Sequence, residues 1–509
     1  LPIWKKDNGD YERIGRWQIP IHGEAIKPIT AEPARKAIGQ ENIYERVNIT
    51  HLLTDANDPQ CIAGAIGFGV RENKFYVFKA KAVLITCGGA SNVFRPRSIN
   101  EGMGRTWYSV FATGSAYGLM IPIGTEMTQM EHRFVPTRFK DGYGPVGMWF
   151  QYFGAKITNS KGEDYTVTRE AELHKYKPYG LVVPTPTPLR NHQMFLDIKD
   201  GLGPMYMGTD KAMQKIAGDD PEKMRKVKEE AWGDFLDMTI SQALTWASQD
   251  IRPEVTPSEV VLAEPYIMGS HSGESGAWVS GPEDLAPPDY FWGYNKMTTI
   301  KGLFAAGDGV GAAPHKFSSG SFTEGRLAAK AAVNFLNDNP EDSTLNDGQV
   351  TSLRDKIWAP LERFEKYKGA STAEEVNPHY LTPYQGLVRL QKIMDEYAGG
   401  TSAWYTTNKP TLERGIQLIE LLREDLNKLA ARDRHELMRC WEVIHRTWVG
   451  ESHMRHLLYR EETRWPGYYY RSDFPDLDDS KWRVFVNSRF DSETNEWDLF
   501  TKPYINLIE

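Results

Sequence analysis

The stretch Gly302-Leu303-Phe304-Ala305-Ala306-Gly307-Asp308-Gly309 decides the fold class of this chain. An apolar run ends in a turn of small residues, and an acidic side chain follows at once. A second small-residue cluster, Ser318-Ser319-Gly320-Ser321, precedes a predicted helix at about 322–336. Small residues let the backbone approach a ligand, and a helix N-terminus offers unpaired N–H groups and a positive dipole end. The stretch therefore predicts a strand, a binding turn and a helix, with Asp308 accepting hydrogen bonds from sugar-like hydroxyls.

A second glycine-rich unit lies earlier in the chain. The apolar run Ala82-Val83-Leu84-Ile85 leads into Thr86-Cys87-Gly88-Gly89. It has the same order as the first unit, a strand followed by glycines that expose the backbone. Taken alone, this unit fits a tight turn as well as a binding loop.

Periodicity predicts the elements around these two units. Apolar and β-branched runs bounded by turn residues predict strands at 47–53, 62–70 and 75–86, the last two joined as a hairpin. Helical patterns occupy 107–120 and 221–232. After about residue 350 a helical region follows, and one of its helices carries an apolar face made of Leu412, Ile416, Ile419, Leu422, Leu426 and Leu429.

Composition excludes several classes of protein. The 509 residues allow about three domains. A net charge of −8, with no Lys/Arg run longer than two, argues against a nucleic-acid-binding surface. No apolar run approaches a membrane span, which needs about 20 residues. The three cysteines, Cys61, Cys87 and Cys440, lie far apart, so they indicate neither a disulfide framework nor a site for zinc or an iron–sulfur cluster.

Several motifs, in order, carry a family resemblance. They are the 83–89 run, Ala112-Thr113-Gly114-Ser115-Ala116, Met130-Glu131 with Pro136-Thr137 behind it, and the 302–308 stretch. Together they resemble the flavoproteins of the fumarate reductase and succinate dehydrogenase superfamily. In that family the first motif passes the dinucleotide, and the last binds the ribityl chain through its acid and the flavin ring through the following helix. The second motif usually reads Thr-Gly-Asp-Gly, and Ser115 here replaces the Asp.

The C-terminal region supports the same resemblance. The run Arg460-Glu461-Glu462-Thr463-Arg464 is similar to the family's Arg-Glu-x-x-Arg-Gly signature, although Trp465-Pro466 stand before Gly467. The implied fold class is α/β plus α, with a FAD-binding doubly wound (Rossmann-like) domain, an inserted α+β capping domain and a helical C-terminal domain. The implied boundaries are 1–133 and 271–345 for the FAD-binding domain, 134–270 for the capping domain and 346–509 for the helical domain.

Two positions decide the branch of the superfamily. Val135 and Pro265 stand where enzymes acting on dicarboxylates carry histidines. The runs 102–108, 131–147 and 268–276 instead resemble the alpha subunits of dissimilatory adenylylsulfate (APS) reductases. That resemblance implies FAD-dependent, reversible reduction of adenylylsulfate to sulfite and AMP through a flavin–sulfite adduct.

The resemblance also implies the site residues. Arg138 and His271 would hold the sulfate group, and a guanidinium suits this role because its planar fork matches oxyanions and stays charged. Trp107 would lie against the flavin, and Phe150 and Arg190 would bracket the adenine. The expected cofactor-binding residues are Thr86, Gly88, Gly89, Gly114, Ser115, Gly307, Asp308, Ser318, Ser319, Gly320 and Ser321. No metal is expected in this chain, and Glu131, His132 and Lys140 are expected to be structural.

Electrons would have to come from another polypeptide. Two-electron flavin chemistry needs a group that supplies single electrons. The scattered cysteines of this chain cannot hold an iron–sulfur cluster that would do so. The resemblance implies a beta subunit with two four-iron–four-sulfur clusters, in a cytoplasmic enzyme, with contact to a membrane electron-transfer complex left open. The chain starts at Leu1, and no Gly-x-Gly-x-x-Gly fingerprint opens it, so we expect roughly the first hundred-odd residues of the parent protein to be absent.

Two other functions stay open from the sequence alone. One is a flavoprotein of the same fold acting on a carbon substrate, as a fumarate reductase does. The other is a non-catalytic or truncated relative that only scaffolds a partner. Fumarate turnover by the isolated flavoprotein would favour the first, and stoichiometric FAD held by this chain refolded by itself would contradict the second.

Overall fold

A computed structural model describes the chain at residues 8, 23–97, 106, 108–140, 146, 153–271, 273–313 and 317–506. The chain divides into two compact units. The larger unit comprises Arg46–Pro136, Thr166–Asp197 and Leu262–Glu509, and the smaller unit comprises Leu1–Glu45, Thr137–Tyr165 and Ile198–Val261.

The first part of the chain contains both strands and helices, and helices dominate after it. Strands β1 to β15 are, in chain order, Val47–Thr54, Ile62–Gly69, Phe75–Lys79, Val83–Ile85, Met127–Thr128, Thr137–Phe139, Ile157–Thr158, Met205–Met207, Ser258–Leu262, Gly276–Ala277, Leu303–Ala305, Thr406–Thr407, Tyr470–Arg471, Val484–Asp491 and Glu496–Pro503. Helices α1 to α12 are Gly23–Ile38, Ser115–Met120, Tyr165–Thr168, Thr187–Lys199, Thr209–Ala217, Pro221–Ser248, Phe317–Asp338, Asp347–Tyr367, Pro383–Tyr397, Lys409–Leu426, Arg434–Tyr459 and Asp479–Trp482. This mixture is the one that the α/β plus α class predicts.

The predicted hairpin is present in the larger unit, and β1 extends it to an antiparallel sheet of order β1-β2-β3. The prediction of one strand over 75–86 is wrong, because the segment forms two strands in different sheets. β3 pairs with β2, whereas β4 pairs in parallel with β11, far along the chain. Local periodicity carries no information about so distant a partner.

The helix predicted over 107–120 is also wrong at its start. α2 begins only at Ser115, because Gly114 has a φ of 74° in the left-handed region and therefore cannot lie inside an α-helix. The five residues Ala116 to Met120 are all buried. The glycine thus turns the chain immediately before a helix that packs into the core.

Helix α7 confirms the helix predicted over 322–336 and is longer, from Phe317 to Asp338. Ala331 and Phe335 pack against Phe304 of β11. The opposite side exposes Phe322 and Val333. α7 therefore rests on the parallel strand pair, and its opposite side is in contact with solvent.

The C-terminal helices form the main core of the larger unit. Five of the six predicted positions of the apolar face belong to α10, where Leu412, Ile419 and Leu422 are fully buried, whereas Leu429 lies beyond the end of the helix. Asn408 caps this helix by accepting from the Thr411 N–H (3.1 Å). α10 packs against α9 and α11. Among the described residues, no helix is both long and apolar enough to cross a lipid bilayer.

The C-terminal aromatic segment packs on the chain's own structure. β14 and β15 form a hairpin in a sheet of order β10-β5-β14-β15. Trp448 of α11 has its ring 4.8 Å from that of Phe490 and 6.3 Å from that of Trp497. Phe490 is buried, and Trp448 and Trp497 are half-buried against the core.

The smaller unit contains a sheet of order β6-β9-β8-β7 and the helices α1, α5 and α6. The predicted helix at 221–232 is present and begins after Asp220, which caps its N-terminus. The helix extends to Ser248, because apolar positions continue along it. Phe139 of β6 makes an edge-to-face contact with Trp246 of α6, with ring centroids 5.1 Å apart. This contact joins the sheet to its helix layer.

Candidate active site

Two parallel strands bring the glycine-rich units together. β4 and β11 pair with Val83 opposite Leu303 and Ile85 opposite Ala305, and the Ala306 N–H donates to the Ile85 carbonyl (3.1 Å). The carboxyl ends of parallel strands meet at one edge of a sheet, where ligands bind in α/β folds. Predicted cofactor residues lie together at this edge: Thr86, Gly88, Gly89, Gly307 and Asp308.

The backbone of both turns requires glycine. Gly88 and Gly307 have φ values of 77° and 74°, in the left-handed region. A Cβ atom on Gly89 would lie 2.7 Å from the carbonyl oxygen of Ile267. The turns therefore present bare backbone at the strand ends, which a phosphate or sugar chain can approach closely.

A buried carboxylate holds the Gly307 turn on α7. The Gly307 N–H donates to Oε2 of Glu324 (2.9 Å), and the Lys296 ammonium donates to Oε1 (2.8 Å). Glu324 is 6% exposed. The sequence analysis did not identify Glu324. Its spacing of four and seven residues from the buried Ala328 and Ala331 would have indicated an acidic side chain on the buried face of this helix.

Asp308 faces the same strand ends. Its Oδ2 accepts a hydrogen bond from the Tyr108 hydroxyl (2.6 Å), and within the described residues no group donates to its Oδ1. Its main-chain oxygen accepts from the Gly269 N–H (2.8 Å) and from the Tyr117 hydroxyl (2.8 Å). The half-buried carboxylate thus keeps one oxygen for a ligand hydroxyl.

Ser115 has a histidine partner that the sequence did not reveal. Its Oγ lies 2.8 Å from Thr113 Oγ1 and 3.0 Å from Nδ1 of His445 in α11. The other ring nitrogen of His445 faces the Thr50 carbonyl (3.2 Å) and must carry the proton, because a carbonyl oxygen only accepts. Burial lowers the pKa of His445 to about 4, so Nδ1 is the acceptor. The Ser115 hydroxyl therefore donates to His445 and accepts from Thr113.

The N-terminus of α7 lies beside the Gly307 turn. The first N–H groups of a helix have no partner within it, and the dipole adds partial positive charge. Ser318 and Ser319 are exposed there, and Gly320 and Ser321 are half-buried. A Cβ atom on Gly307 would lie 3.6 Å from Ser321 Oγ. This helix end can therefore bind a partly negative ligand atom next to Asp308.

The loop that carries His271 is hydrogen-bonded to the main chain of Asp308. The Gly269 N–H donates to the Asp308 main chain, and Ser275 Oγ donates to the Met268 carbonyl (3.1 Å). His271 has a φ of 52°, an uncommon left-handed conformation outside glycine. Its ring centroid is 6.0 Å from that of Phe134. The imidazole is thus presented by a small, strained loop tied to the predicted cofactor site.

The C-terminal signature is a structural ion network. Arg460 donates from Nε to Glu131 Oε1 (2.7 Å) and from Nη1 to Glu462 (2.8 Å), and Arg464 donates to the same Glu462 (2.6 Å). Burial, the largest single cause, raises the pKa of Glu131, but the Arg460 charge and the contact with His456 together outweigh it and lower that pKa to about 2. Gly467 ends the run at a φ of 89°, where a side chain would overlap the backbone of α4.

Two further polar residues make contacts that suit a structural role. His132 stacks on Trp465 with ring centroids 4.1 Å apart, and burial lowers its pKa to about 3. Lys140 forms an ion pair with Glu259 of β9 (2.9 Å). Each of these side chains contacts a residue of the unit to which it belongs.

The remaining predicted residues are spread over the chain. Arg138 is buried in β6 of the smaller unit, whereas His271 belongs to the larger unit, so their pairing stays a prediction. Arg190 is half-buried in α4, and its Nη2 donates to Thr187 Oγ1 (3.1 Å). Trp107 and Phe150 lie outside the described residues. Within the part of the chain that the structure covers, no cluster of His, Cys, Asp or Glu could hold a metal ion.

A segment near the C-terminus of the chain matches a family model. Residues 388–505 fit the family described as the C-terminal region of the fumarate reductase flavoprotein. The residues before this segment supply the paired turns, the acid and the helix end. The fold is that of the fumarate reductase flavoproteins, because a solved quinol fumarate reductase matches 90% of this chain at a TM-score of 0.62 and 15% identity.

Other comparisons cover the whole chain. The adenylylsulfate reductase subunit alpha of Megalodesulfovibrio gigas is 48% identical, over 100% of this chain and 81% of that protein. The solved adenylylsulfate reductase of Archaeoglobus fulgidus is 59% identical with a TM-score of 0.97, over 100% of this chain and 80% of that one. An adenosine-5-phosphosulfate reductase solved as a covalent adduct with sulfite matches with the same values. The chain belongs to the family of adenylylsulfate reductase alpha subunits, which confirms the family and the fold class expected from the sequence.

Proposed function

We propose that this chain is the flavin-carrying subunit of an adenylylsulfate reductase, which interconverts adenylylsulfate with sulfite and AMP. The observation that carries this function is the full-length match, at a TM-score of 0.97, to a reductase solved as a covalent adduct with sulfite. In the reductive direction the sulfur takes up two electrons, and its bond to the phosphate oxygen breaks. AMP leaves with that oxygen, and sulfite is the second product.

The residues at the strand ends fit FAD. The Gly88 and Gly307 turns expose backbone, the Oδ1 of Asp308 has no donor among the described residues, and the N-terminus of α7 lies beside it. Asp308 would accept from a ribityl hydroxyl, and the helix end would face a polarised carbonyl of the ring. When bound, FAD supplies the two-electron exchange with the substrate sulfur.

Arg138 and His271 are the side chains that we propose for the sulfate group. A sulfate bound to AMP is anionic, and charge grows on its oxygens as electrons arrive. A fixed hydrogen-bond donor aimed at such charge typically lowers the activation free energy by about 3–4 kcal/mol. The strained loop at 268–276 presents His271, whereas the guanidinium of Arg138 would supply a permanent charge.

The outer part of the substrate would meet aromatic residues. We propose that Trp107 lies against the flavin and that Phe150 and Arg190 bracket the adenine, since a ring and a guanidinium plane both stack on a base. The division into FAD-binding, capping and helical domains at the boundaries given above belongs to the same proposal.

The electrons come from a partner subunit. A relative that is 48% identical to this chain is named an alpha subunit, which implies a second subunit. We propose that the partner holds two four-iron–four-sulfur clusters. The three cysteines here support this, because Cys61 donates to Asp58, Cys440 is buried and Cys87 is exposed, each as a free thiol. Free thiols also support the cytoplasm as the location, since thiols persist in reducing compartments. Contact with a membrane electron-transfer complex remains part of the proposal.

A dicarboxylate substrate is a poorer fit. Val135 is fully buried, and its carbonyl accepts from Nδ2 of Asn191 (2.6 Å). Neither Val135 nor Pro265 offers a donor to a carboxylate, whereas the related enzymes on carbon substrates use histidines there. A carbon substrate therefore lacks its two expected anchors.

The test uses the complete protein with its partner subunit. The complex is mixed with AMP, sulfite and an electron acceptor, with a parallel reaction containing fumarate and a reduced dye. We expect reduction of the acceptor only when AMP and sulfite are both present. His271→Asn should abolish most of it, and His379→Asn, at an exposed histidine of the same unit, should leave it unchanged. No AMP-dependent oxidation of sulfite by a fully flavin-loaded complex would refute the function, and fumarate turnover would favour the alternative.

A further inference from the structure

Tyr108 is a residue that the proposed chemistry does not use, and its hydroxyl lies between the two glycine turns. It donates to Oδ2 of Asp308 (2.6 Å) and accepts from the Gly89 N–H (3.3 Å). A Cβ atom on Gly88 would lie 3.1 Å from the same hydroxyl. One hydroxyl group thus joins the turn after β4 to the acid after β11.

The ring of Tyr108 is held from the side. It makes an edge-to-face contact with Tyr266, which is fully buried, with ring centroids 6.3 Å apart. Burial and the nearby Asp308 charge raise the pKa of Tyr108, so the phenol keeps its proton. A protonated phenol beside a carboxylate is a permanent donor, and hydrogen bonds to charged groups are about twice as strong as neutral ones.

Two tyrosines donate hydrogen bonds to different atoms of Asp308. Tyr117 donates to the main-chain oxygen and so holds the backbone, together with the Gly269 N–H. Tyr108 alone among the described residues donates to the carboxylate. An aspartate side chain without that donor turns more freely, so its second oxygen loses a fixed direction.

We infer that Tyr108 is a positioning residue of the cofactor site: its hydroxyl aims the free oxygen of Asp308 at the ribityl chain of FAD and holds the Gly89 turn beside it. The inference rests on the proposed function for the identity of the cofactor. It assigns Tyr108 to binding of FAD and not to the sulfur chemistry.

The test is the affinity for FAD of Tyr108→Phe in the complete protein with its partner. The flavin is removed and titrated back while protein fluorescence is recorded. We expect the Kd to rise about ten-fold, which corresponds to about 1.4 kcal/mol. The matched control is Tyr294→Phe, because Tyr294 also donates to an aspartate, Asp338 at the far end of α7 (2.9 Å). The control should stay within about two-fold of the unchanged protein.

A double-mutant cycle separates positioning from general damage. If Tyr108 acts through Asp308, Tyr108→Phe should add less than about two-fold in an Asp308→Ala background, where the side chain offers the hydroxyl no acceptor. An equal rise in both backgrounds, a rise as large in the Tyr294→Phe control, or no rise at all would overturn the inference. Oxidation of sulfite by the unchanged complex is measured separately, so a wrong reaction and a wrong role for Tyr108 give different results.

Discussion

Five histidines, four of them buried and His51 half-buried, should make the larger unit lose stability below neutral pH. Burial is the main cause that lowers their pKa values from 6.5 to about 3 or 4: His51, His132, His192, His445 and His453. The folded rings stay neutral while the unfolded chain takes up protons. A folded-state pKa below the unfolded value contributes stability that is complete above pH 6.5 and is lost as the pH falls toward 4.

The size of the effect follows from the proton affinities. At about pH 5.5 each of these rings costs about 1.4 kcal/mol of unfolding free energy, so the five cost about 7 kcal/mol. Glu274 opposes them. Burial and then the charge of Glu131 raise its pKa to about 7, so the folded state takes up this proton first and gains about 2 kcal/mol. The net loss of about 5 kcal/mol equals the lower end of the stability of a whole domain.

The assay is urea unfolding at about pH 7.5 and about pH 5.5, followed by tryptophan fluorescence. His453→Asn should shrink the difference between the two pH values by about 1.4 kcal/mol, because one neutral ring is removed. Glu274→Gln should enlarge it by about 2 kcal/mol, because the opposing proton is lost. The control is His379→Asn, at an exposed ring stacked on Tyr367.

Equal stability at the two pH values would contradict this reasoning. So would a His453→Asn variant with the same pH difference as the unchanged protein. Either result would mean that these rings are protonated in the folded state and that water or rearrangement compensates their charge.

Three further predictions concern the site and its supports. Glu324→Gln should raise the Kd for FAD about ten-fold, because the Gly307 N–H loses a charged acceptor; an unchanged Kd in a flavin titration would contradict this. Arg460→Met should lower the unfolding free energy by about 3–5 kcal/mol at neutral pH, because it leaves buried carboxylates without a counter-charge; urea unfolding measures it, and a neutral result would count against the ion network. Gly114→Ala should lower the melting temperature by the equivalent of about 2 kcal/mol, because the backbone is left-handed and the Cβ would lie 2.7 Å from Val449 Cγ2. Calorimetry that finds no shift would show that the turn can relax.

Local patterns predicted what depends on near neighbours. The glycine turns, the hairpin of β2 and β3 and the apolar face of α10 follow from side-chain period and from backbone freedom, and the structure has all three. The length of the strand at 75–86 and the start of α2 were wrong. In the first case a distant strand takes over the pairing, and in the second Gly114 adopts a φ that a helix pattern does not reveal.

The sequence by itself determined the class of this protein. Each binding turn consists of small residues that are consecutive in the chain, one of them next to an acid, and the family motifs are also consecutive residues. Only the tertiary structure decided which side chains serve those turns. Ser115 meets His445 and Asp308 meets Tyr108 across separations of 330 and 200 residues. Hydrogen bonds form between groups that packing brings within about 3 Å, and no spacing along the chain encodes that distance.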